Sequence, residues 1–480
     1  MTTSTNKSIF PYILLSVIVF LALIVRLYKI DTPLADWHSW RQTDTASVSR
    51  LFDQQGINLF VPKYQDISNI QTGFDNPNGY RFVEFPLFNV IHALVYRYTD
   101  LDFVVAGRLV SIVASLISTI FIYLIGKRCI SITGGILSAI FFAFIPFNIF
   151  YSRVILPEPL AIMFGLGALY CFYRFTDSNS IMWIIYSGLL LALSILVKPF
   201  TSFYTVPMLY LLFKDKNIKK TFTKLLADRR MWMFVLLTFT PFVLWRIWIS
   251  EYPEGIPHMK WAFNSDGIRF KPSFFRWIFK ERIGTLILGV WGVVPFVFGI
   301  INYEKDNRVI NWFLLGVITF TTIFATASVR HDYYQIILLP AISLSLSVGC
   351  ISLWNYLAGI RKIVARCVVM FCIIMLFVMG WFEVRGFYQI NNFSIVKAGI
   401  AVDKLTPPDS LVVAPYNKDS AFLYQTNRSG WPYLTHDIDL LIEKGADYYV
   451  SVNFDQTTLD VMEKFDVIEK TNEYVIVKLH

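Results

Sequence analysis

The chain has 480 residues, of which 55% are hydrophobic and only 16% are charged. Soluble domains carry about 25% charged residues, so this composition excludes an ordinary soluble protein and indicates an integral membrane protein. The formal net charge is +9, and its meaning depends on which side of the bilayer the basic residues occupy.

Apolar runs of about 17–22 residues recur along the chain, and a helix of this length crosses a hydrocarbon core of about 30 Å. The first run, from Ile9 to Tyr28, is too long for a signal-peptide core and precedes no small-x-small cleavage site. The pattern predicts a polytopic α-helical membrane protein with about eleven transmembrane helices, near 9–28, 103–126, 132–151, 159–175, 181–197, 200–213, 231–249, 283–301, 309–327, 334–354 and 364–383.

The connections between these runs differ in charge. Four basic or mixed connections, at 126–128, 214–230, 304–308 and 359–366, fall on one side of the membrane under this helix count. The positive-inside rule makes that side cytoplasmic, so we expect the N-terminus inside and the C-terminus outside.

The outer side receives three larger pieces. Two are the loops 29–102 and 250–282, which we assign to a transmembrane catalytic domain of residues 1–383. The third is the tail 384–480, called here the C-terminal module. Its strand-like runs at 410–415, 446–452 and 473–479, with a helical segment between the first two, predict a small extracytoplasmic α/β domain.

The stretch DWHSWRQTDTA, residues 36–46, directly follows the first apolar run. Ser39 and Gln42 fit a capping box, and the apolar residues after them predict a helix that lies along the membrane surface. Arg41 and Asp44 are three positions apart and are expected to pair on this helix. This structural account leaves the first acidic residue and the histidine of the stretch unexplained.

Other polar residues stand at predicted outer ends of helices or in the outer loops. A lone carboxylate there is usually only solvated, and basic residues often anchor lipid headgroups. Ionisable groups near membrane depth are nevertheless expensive and tend to be functional, and Arg and Lys are the usual phosphate ligands. The residues concerned are Asp36, His38, Glu84, Arg108, Glu158, Lys198, the basic residues of 269–282, His331 and Tyr334.

The ordered set of these motifs resembles the GT-C class of membrane glycosyltransferases, in the bacterial branch related to protein O-mannosyltransferases and lipid A aminoarabinose transferases. The resemblance rests on DWHSWRQTDTA, VEFPLFNVIHALVYRY, GRLVS, SRVILPEPLA, LVKPF and HDYYQIILLPA, which occur in the family's order along the chain. The family usually has an adjacent acidic pair in its first outer loop, where this chain has TDT.

The resemblance implies transfer of a sugar from a polyprenyl-phosphate donor to a hydroxyl acceptor on the outer face, with inversion at the anomeric carbon. A carboxylate would accept the proton of the attacking hydroxyl. Asp44 and Asp36 are both candidates for this base, and we favour Asp44 because the family's acid lies at that point of the surface helix. Glu158 occupies the second acidic motif.

The leaving phosphate needs stabilisation of its charge more than it needs a proton. Candidate donor-binding residues are His38, Arg41, Glu84, Arg108, Lys198, His331 and Tyr334. Glu84 and His258 are candidate ligands of a divalent cation, because some members of the class use a metal and others do not; no other cofactor is expected. Expected partners are the polyprenyl-phosphate sugar, membrane lipid and a lipid, glycan or protein acceptor, with no nucleic acid.

Two other functions compete with this hypothesis. A polysaccharide ligase or polymerase would use a diphosphate-linked donor, and a lipid-linked sugar transporter would carry polar groups at the membrane midplane and symmetric halves. Neither symmetry nor midplane clustering is visible in the sequence. The most favoured interpretation is a hexosyl- or pentosyltransferase of the bacterial cytoplasmic (inner) membrane, with its active site facing outside.

Overall fold

The structure is a computed structural model that describes residues 9–213, 223, 227–302, 304, 307–356 and 360–480. Most of the basic connection 214–230, and parts of those at 304–308 and 359–366, lie outside the described residues. Five described helical segments are long and apolar enough to cross a membrane: Phe103–Cys129, Glu158–Ser178, Arg229–Ile249, Asp332–Asn355 and Arg361–Leu405. The predicted count of eleven spans and their orientation stay predictions.

Helices dominate the first part of the chain. They are Phe10–Arg26, Ser39–Gln55, Leu87–Arg97, Phe103–Cys129, Ile132–Phe144, Pro146–Tyr151, Glu158–Ser178, Ile181–Val197, Thr205–Phe213, Arg229–Ile249, Lys260–Asn264, Pro272–Phe275, Val293–Ile301, Arg308–Ile323, Ala325–Arg330, Leu339–Asn355 and Ile360–Val384. Short 3-10 segments cover Pro199–Tyr204, Pro253–Gly255, Ile268–Phe270, Asp332–Leu338 and Arg385–Tyr388, and Arg276–Ile287 is π-helical.

Several predicted spans are broken. The run 132–151 ends as one helix at Phe144 and restarts at Pro146, because proline cannot donate the hydrogen bond that a continuous helix needs. The run 283–301 is interrupted at Gly289, whose φ is +52° and where a Cβ atom would come within 2.5 Å of the Leu376 carbonyl oxygen. Close backbone packing of this kind needs glycine.

The C-terminal module contains a five-stranded sheet. Its strands are β1 (Leu411–Val413), β2 (Ser429–Trp431), β3 (Ala446–Ser451), β4 (Asp466–Lys470) and β5 (Val475–Lys478), in the order β2-β1-β3-β5-β4. The pairs β1–β2 and β1–β3 are parallel, and β3–β5 and β4–β5 are antiparallel. Helices Phe393–Leu405, Ala421–Gln425, Ile438–Glu443 and Gln456–Lys464 accompany the sheet.

The helix Ser39–Gln55, called here the outer helix after its predicted side of the membrane, is buried against the rest of the protein along most of its length. The predicted capping box is wrong. The residue before the helix is His38, which has a left-handed φ of 53° and makes no side-chain capping bond. Gln42 instead donates from Nε2 to Asp36 Oδ1 at 2.6 Å and to the Trp37 carbonyl at 3.1 Å.

Candidate active site

Asp44 lies on the second turn of the outer helix and is almost completely buried. Its Oδ2 atom accepts a hydrogen bond from Arg81 Nη2 at 2.5 Å. Its Oδ1 atom accepts one from the Ser420 hydroxyl at 2.7 Å. The predicted pairing of Asp44 with Arg41 is wrong, because Arg41 forms its ion pair with Glu84 and Asp44 forms its own with Arg81. The carboxylate is thus held from two directions by groups far apart in the chain.

Next to Asp44, two cations and two carboxylates form a continuous buried network. Arg41 Nη2 contacts Glu84 Oε1, and Lys198 Nζ lies 2.8 Å from the same oxygen. The other contact of Lys198 is to Glu158 Oε1 at 2.6 Å. Four predicted site residues therefore meet, and their formal charges cancel.

The network changes the protonation equilibria of its members. Burial alone would raise the pKa of Glu84, but the charges of Arg41 and Lys198 outweigh burial and lower it to about 2. Burial would lower the pKa of Lys198, but the carboxylates of Glu158 and Glu84 raise it above its ordinary value. Glu84 is therefore deprotonated and Lys198 protonated at neutral pH, as opposite charges at these distances require.

A pocket opens beside the outer helix where these groups meet. Its lining includes Asp44, Arg81, Arg41 and Glu84, together with Pro157, which precedes Glu158. The Arg81 Nη1 atom is buried and has no hydrogen-bond partner among the described residues. A buried guanidinium nitrogen without an acceptor is unfavourable by about 1–3 kcal/mol or more. The pocket therefore offers a carboxylate and an unsatisfied cationic donor side by side.

Asp36 has a different environment. Its Oδ2 atom lies 3.0 Å from Arg153 Nη2 and 3.6 Å from Arg108 Nη2, and all three side chains are fully buried. Arg108 also donates to the carbonyl of Ile30 at 2.7 Å and to Thr32 Oγ1 at 3.1 Å. These contacts join the end of the first helix to two neighbouring helices and favour a structural role for Asp36 and Arg108.

His38 belongs to a separate cluster around Asp332. Its Nε2 atom lies 2.7 Å from Asp332 Oδ1, and Trp37 Nε1 donates to Asp332 Oδ2 at 3.1 Å. Tyr151 also donates to this carboxylate, and Arg282 Nη1 lies 3.6 Å from it. These contacts fix the start of the predicted outer loop, at Trp37 and His38, to the beginning of the 3-10 segment Asp332–Leu338.

His331 and Tyr334 lie between the two clusters. The His331 ring contacts the rings of His38, Trp40 and Tyr334 at centroid distances of 5.8, 5.5 and 6.3 Å. Tyr334 also lies 5.7 Å from Lys198 Nζ, measured to its ring centre. Burial, followed by the like charge of His38, lowers the pKa of His331 to about 4. His331 is consequently neutral at physiological pH.

The two candidate metal ligands are placed differently. Glu84 is engaged by Arg41 and Lys198, while His258 is exposed and its backbone N–H donates to the Gln71 carbonyl. No group of three or more His, Cys, Asp or Glu side chains that could hold a metal occurs among the described residues. Metal dependence through Glu84 and His258 stays a prediction.

Sequence reasoning missed three residues of the site. Arg81 precedes Glu84 by three positions in the same loop, and this basic neighbour of a candidate acid was the available signal. Arg153, the main partner of Asp36, lies within the motif SRVILPEPLA that contains Glu158. Ser420 lies in the C-terminal module, and nothing local in its sequence indicates a contact with Asp44.

Known proteins share this architecture. The family model described as Dolichyl-phosphate-mannose-protein mannosyltransferase matches residues 86–245. This range begins just after Glu84 and includes Arg108, Glu158 and Lys198. No curated protein matches the whole sequence in a direct comparison.

Solved structures match over nearly the whole chain. ArnT from Cupriavidus metallidurans bound to undecaprenyl phosphate has a TM-score of 0.68 and 12% identity, covering 97% of this chain and 98% of its own. The oligosaccharyltransferase AglB from Archaeoglobus fulgidus, in complex with an inhibitory peptide and a dolichol-phosphate, has a TM-score of 0.59 and 8% identity, covering 93% and 70%. The mycobacterial arabinofuranosyltransferase AftD has a TM-score of 0.55 and 13% identity, covering 97% and 41%.

Identities this low establish a common fold and nothing finer. They agree with the family match within the membrane domain and with the motif order noted in the sequence. The resemblance inferred from the sequence is therefore confirmed at the level of the fold: the chain has the GT-C membrane glycosyltransferase fold, and its residues 86–245 match the mannosyltransferase family model.

Proposed function

We propose that this protein transfers a hexose or pentose from a polyprenyl-phosphate donor to a hydroxyl acceptor, with Asp44 as the general base. The observation that carries the proposal is the pocket in which the Asp44 carboxylate stands beside the partnerless Nη1 atom of Arg81 and beside Arg41. A base for the acceptor and cations for a phosphate are the two groups that this reaction needs.

The proposed reaction is a single displacement at the anomeric carbon. The acceptor oxygen attacks this carbon while its proton passes to Asp44, and the bond from the carbon to the phosphate oxygen breaks. The bond electrons leave with the polyprenyl phosphate, whose negative charge Arg81 and Arg41 would stabilise. Attack opposite the leaving group inverts the configuration. Glu158 and Glu84 would hold Lys198 and Arg41 in place.

Two related structures support the choice of donor. ArnT from Cupriavidus metallidurans was solved with undecaprenyl phosphate, and AglB from Archaeoglobus fulgidus with a dolichol-phosphate and a peptide. Both ligands carry a long isoprenoid on a phosphate, which suits a pocket at the edge of a helical membrane domain. The acceptor is a lipid, glycan or protein on the outer face of a bacterial cytoplasmic membrane.

The test is a donor panel. The purified protein is incubated with undecaprenyl-phosphate-linked hexoses and pentoses and with a bacterial envelope extract as acceptor mixture, and products are identified by mass spectrometry. We expect release of undecaprenyl phosphate together with a glycosylated product. A diphosphate-linked oligosaccharide is included, since turnover of that donor alone would identify a ligase or polymerase.

The matched variant is Asp44→Asn, which keeps the shape of the side chain and removes its basicity. We expect a loss of turnover of at least about 100-fold, because general-base catalysis contributes 10²–10⁴-fold. The variant should still purify from the membrane as a folded protein. Wild-type turnover by Asp44→Asn would overturn the assignment of the base.

A further inference from the structure

The C-terminal module reaches the membrane domain at Asp44 itself. The Ser420 hydroxyl donates to Asp44 Oδ1 at 2.7 Å, and it lies 3.3 Å from both Thr43 Oγ1 and the Trp40 carbonyl oxygen. Of these three acceptors, the carboxylate is the nearest and the only charged one. The single hydroxyl proton of Ser420 is therefore donated to Asp44.

The turn that carries Ser420 is strained. Asn417 and Lys418 both adopt left-handed φ angles, of 49° and 64°. Such a conformation is unfavourable for a residue such as lysine, and it persists only where the surrounding structure imposes it. The turn closes with a hydrogen bond from Asp419 N–H to the Tyr416 carbonyl, and Asp419 Oδ1 accepts from Ala421 N–H at 2.7 Å. This turn aims Ser420 at the outer helix.

Several contacts fix the module around this point. Arg50 of the outer helix donates to the Tyr424 carbonyl at 2.8 Å and stacks over the Tyr424 ring at 3.7 Å. Gln425 Nε2 donates to the Leu34 carbonyl at 3.0 Å. The backbone of Asp66 pairs with that of Gly430 as an isolated parallel bridge. The position of Ser420 is therefore set by a docked surface and not by one side-chain contact.

A carboxylate held from two directions has a defined orientation. Each oxygen has two lone-pair positions, so the bonds from Arg81 and Ser420 leave one position on each oxygen free. Without the Ser420 bond, Asp44 would be tethered through Oδ2 alone and could rotate about that contact. A general base must stand within hydrogen-bond reach of the proton that it takes.

We propose that Ser420 is a positioning residue that orients Asp44 for proton abstraction, so that the C-terminal module completes the active site. This inference rests on the proposed function with Asp44 as base. It assigns to the module a part in the reaction that neither a structural cap nor a separate acceptor-binding domain would have. The adjacent Asp419 adds a second acidic group at the contact, and burial raises the pKa of its carboxyl to about 6.

The experiment compares Ser420→Ala, Ser420→Thr and Ser420→Val, using the undecaprenyl-phosphate sugar that the wild type turns over. Thr and Val have nearly the same shape, and only Thr keeps the hydroxyl. We expect Ala and Val to lower kcat about 10- to 100-fold, the range for a hydrogen bond to a charged group. The KM for the donor should stay within about twofold, because Ser420 is bonded to Asp44 Oδ1, whereas Arg81, which is proposed to bind the phosphate, is bonded to Oδ2. Thr should restore most of the activity.

The control is Ser410→Ala, in the same module, whose hydroxyl donates to the Pro407 carbonyl instead of to Asp44. Its kcat should equal that of the wild type. Equal kcat for Thr and Val, or wild-type kcat for Ala, would overturn the positioning role while an inactive Asp44→Asn left the proposed function standing. Wild-type turnover by Asp44→Asn, or no turnover of any donor by the wild type, would overturn both.

Discussion

Two aspartates in one short stretch of sequence have different neighbours, and this difference is the reason for proposing different roles for them. The negative charge of Asp36 offsets two fully buried guanidinium groups, those of Arg108 and Arg153. A base must take up a proton, and protonation of Asp36 would leave both cations without a counter-charge at a cost of several kcal/mol. Asp44 faces a pocket and is paired with one arginine, so under the proposed function it would take up a proton while Arg81 turned to the departing phosphate.

The substitution Asp36→Asn separates these roles. It removes the charge that balances two buried arginines, and breaking a buried ion pair from one side destabilises a protein by about 3–5 kcal/mol. We expect a clear loss of thermal stability of the detergent-solubilised protein, greater than that of Asp44→Asn. Tm values of the two variants measured side by side provide the check. An Asp36→Asn protein as stable as the wild type but inactive would instead return the catalytic role to Asp36.

At the scale of the elements, the packing of a histidine side chain on a glycine holds the predicted outer loop 29–102 to the next helix, Phe103–Cys129. His92 on the helix Leu87–Arg97 is fully buried, and its Nε2 atom lies 2.8 Å from the Phe103 carbonyl oxygen. It packs on Gly107 of the next helix, where a Cβ atom would stand 2.5 Å from the imidazole. Burial lowers the pKa of His92 to about 4. This contact positions the loop that carries Glu84 and Arg81.

The contact predicts a pH-dependent stability. The folded state releases the His92 proton at a pKa of about 4, whereas an unfolded histidine has a pKa of about 6.5. Between these values the unfolded chain binds more protons, so stability falls as the pH drops from about 6.5 towards 4. The full loss is about 3 kcal/mol at 1.36 kcal/mol per pKa unit.

Tm measurements at pH 7.5, 6 and 4.5 test this expectation. His92→Gln should make the dependence less steep, because glutamine does not titrate and the contribution of His331, whose pKa is also about 4, then remains. His480→Gln, which changes an exposed histidine, should leave the dependence unchanged. An equally steep dependence in the His92→Gln protein would assign the acid sensitivity to other groups.

Hydropathy predicts the elements well and their partners poorly. The run 181–197 coincides with the helix Ile181–Val197, and the strand-like run 446–452 nearly coincides with β3. The two bonds to Asp44 join residues 37 and 376 positions apart, and no local period marks either of them. The predicted local pair of Arg41 and Asp44 failed because Arg41 has a buried carboxylate, Glu84, within reach. Long-range charge pairing outweighed helix spacing.

Across the whole molecule, the site joins three regions that the sequence keeps apart. The outer helix and loop supply Asp44, Arg81 and Glu84; the membrane helices supply Lys198 and Glu158; and the C-terminal module supplies a bond through Ser420. Polar groups of all three meet at one end of the helical domain. This one-sidedness suits a reaction at a membrane surface better than passage through the membrane, for which polar groups at the midplane would be expected.

The same geometry makes a prediction about topology. The module docks on the outer helix, so both must lie on the same side of the membrane. The positive-inside rule, applied to the basic connections 126–128 and 359–366, predicts that this side is outside. Alkaline phosphatase, which is active only outside the cytoplasm, should be active when fused after His480. Green fluorescent protein, which folds poorly when exported in unfolded form, should be dark at the same position. Truncated fusions after Arg128 should give the reverse pattern. A fluorescent fusion at His480 would place the module in the cytoplasm and with it the pocket at Asp44.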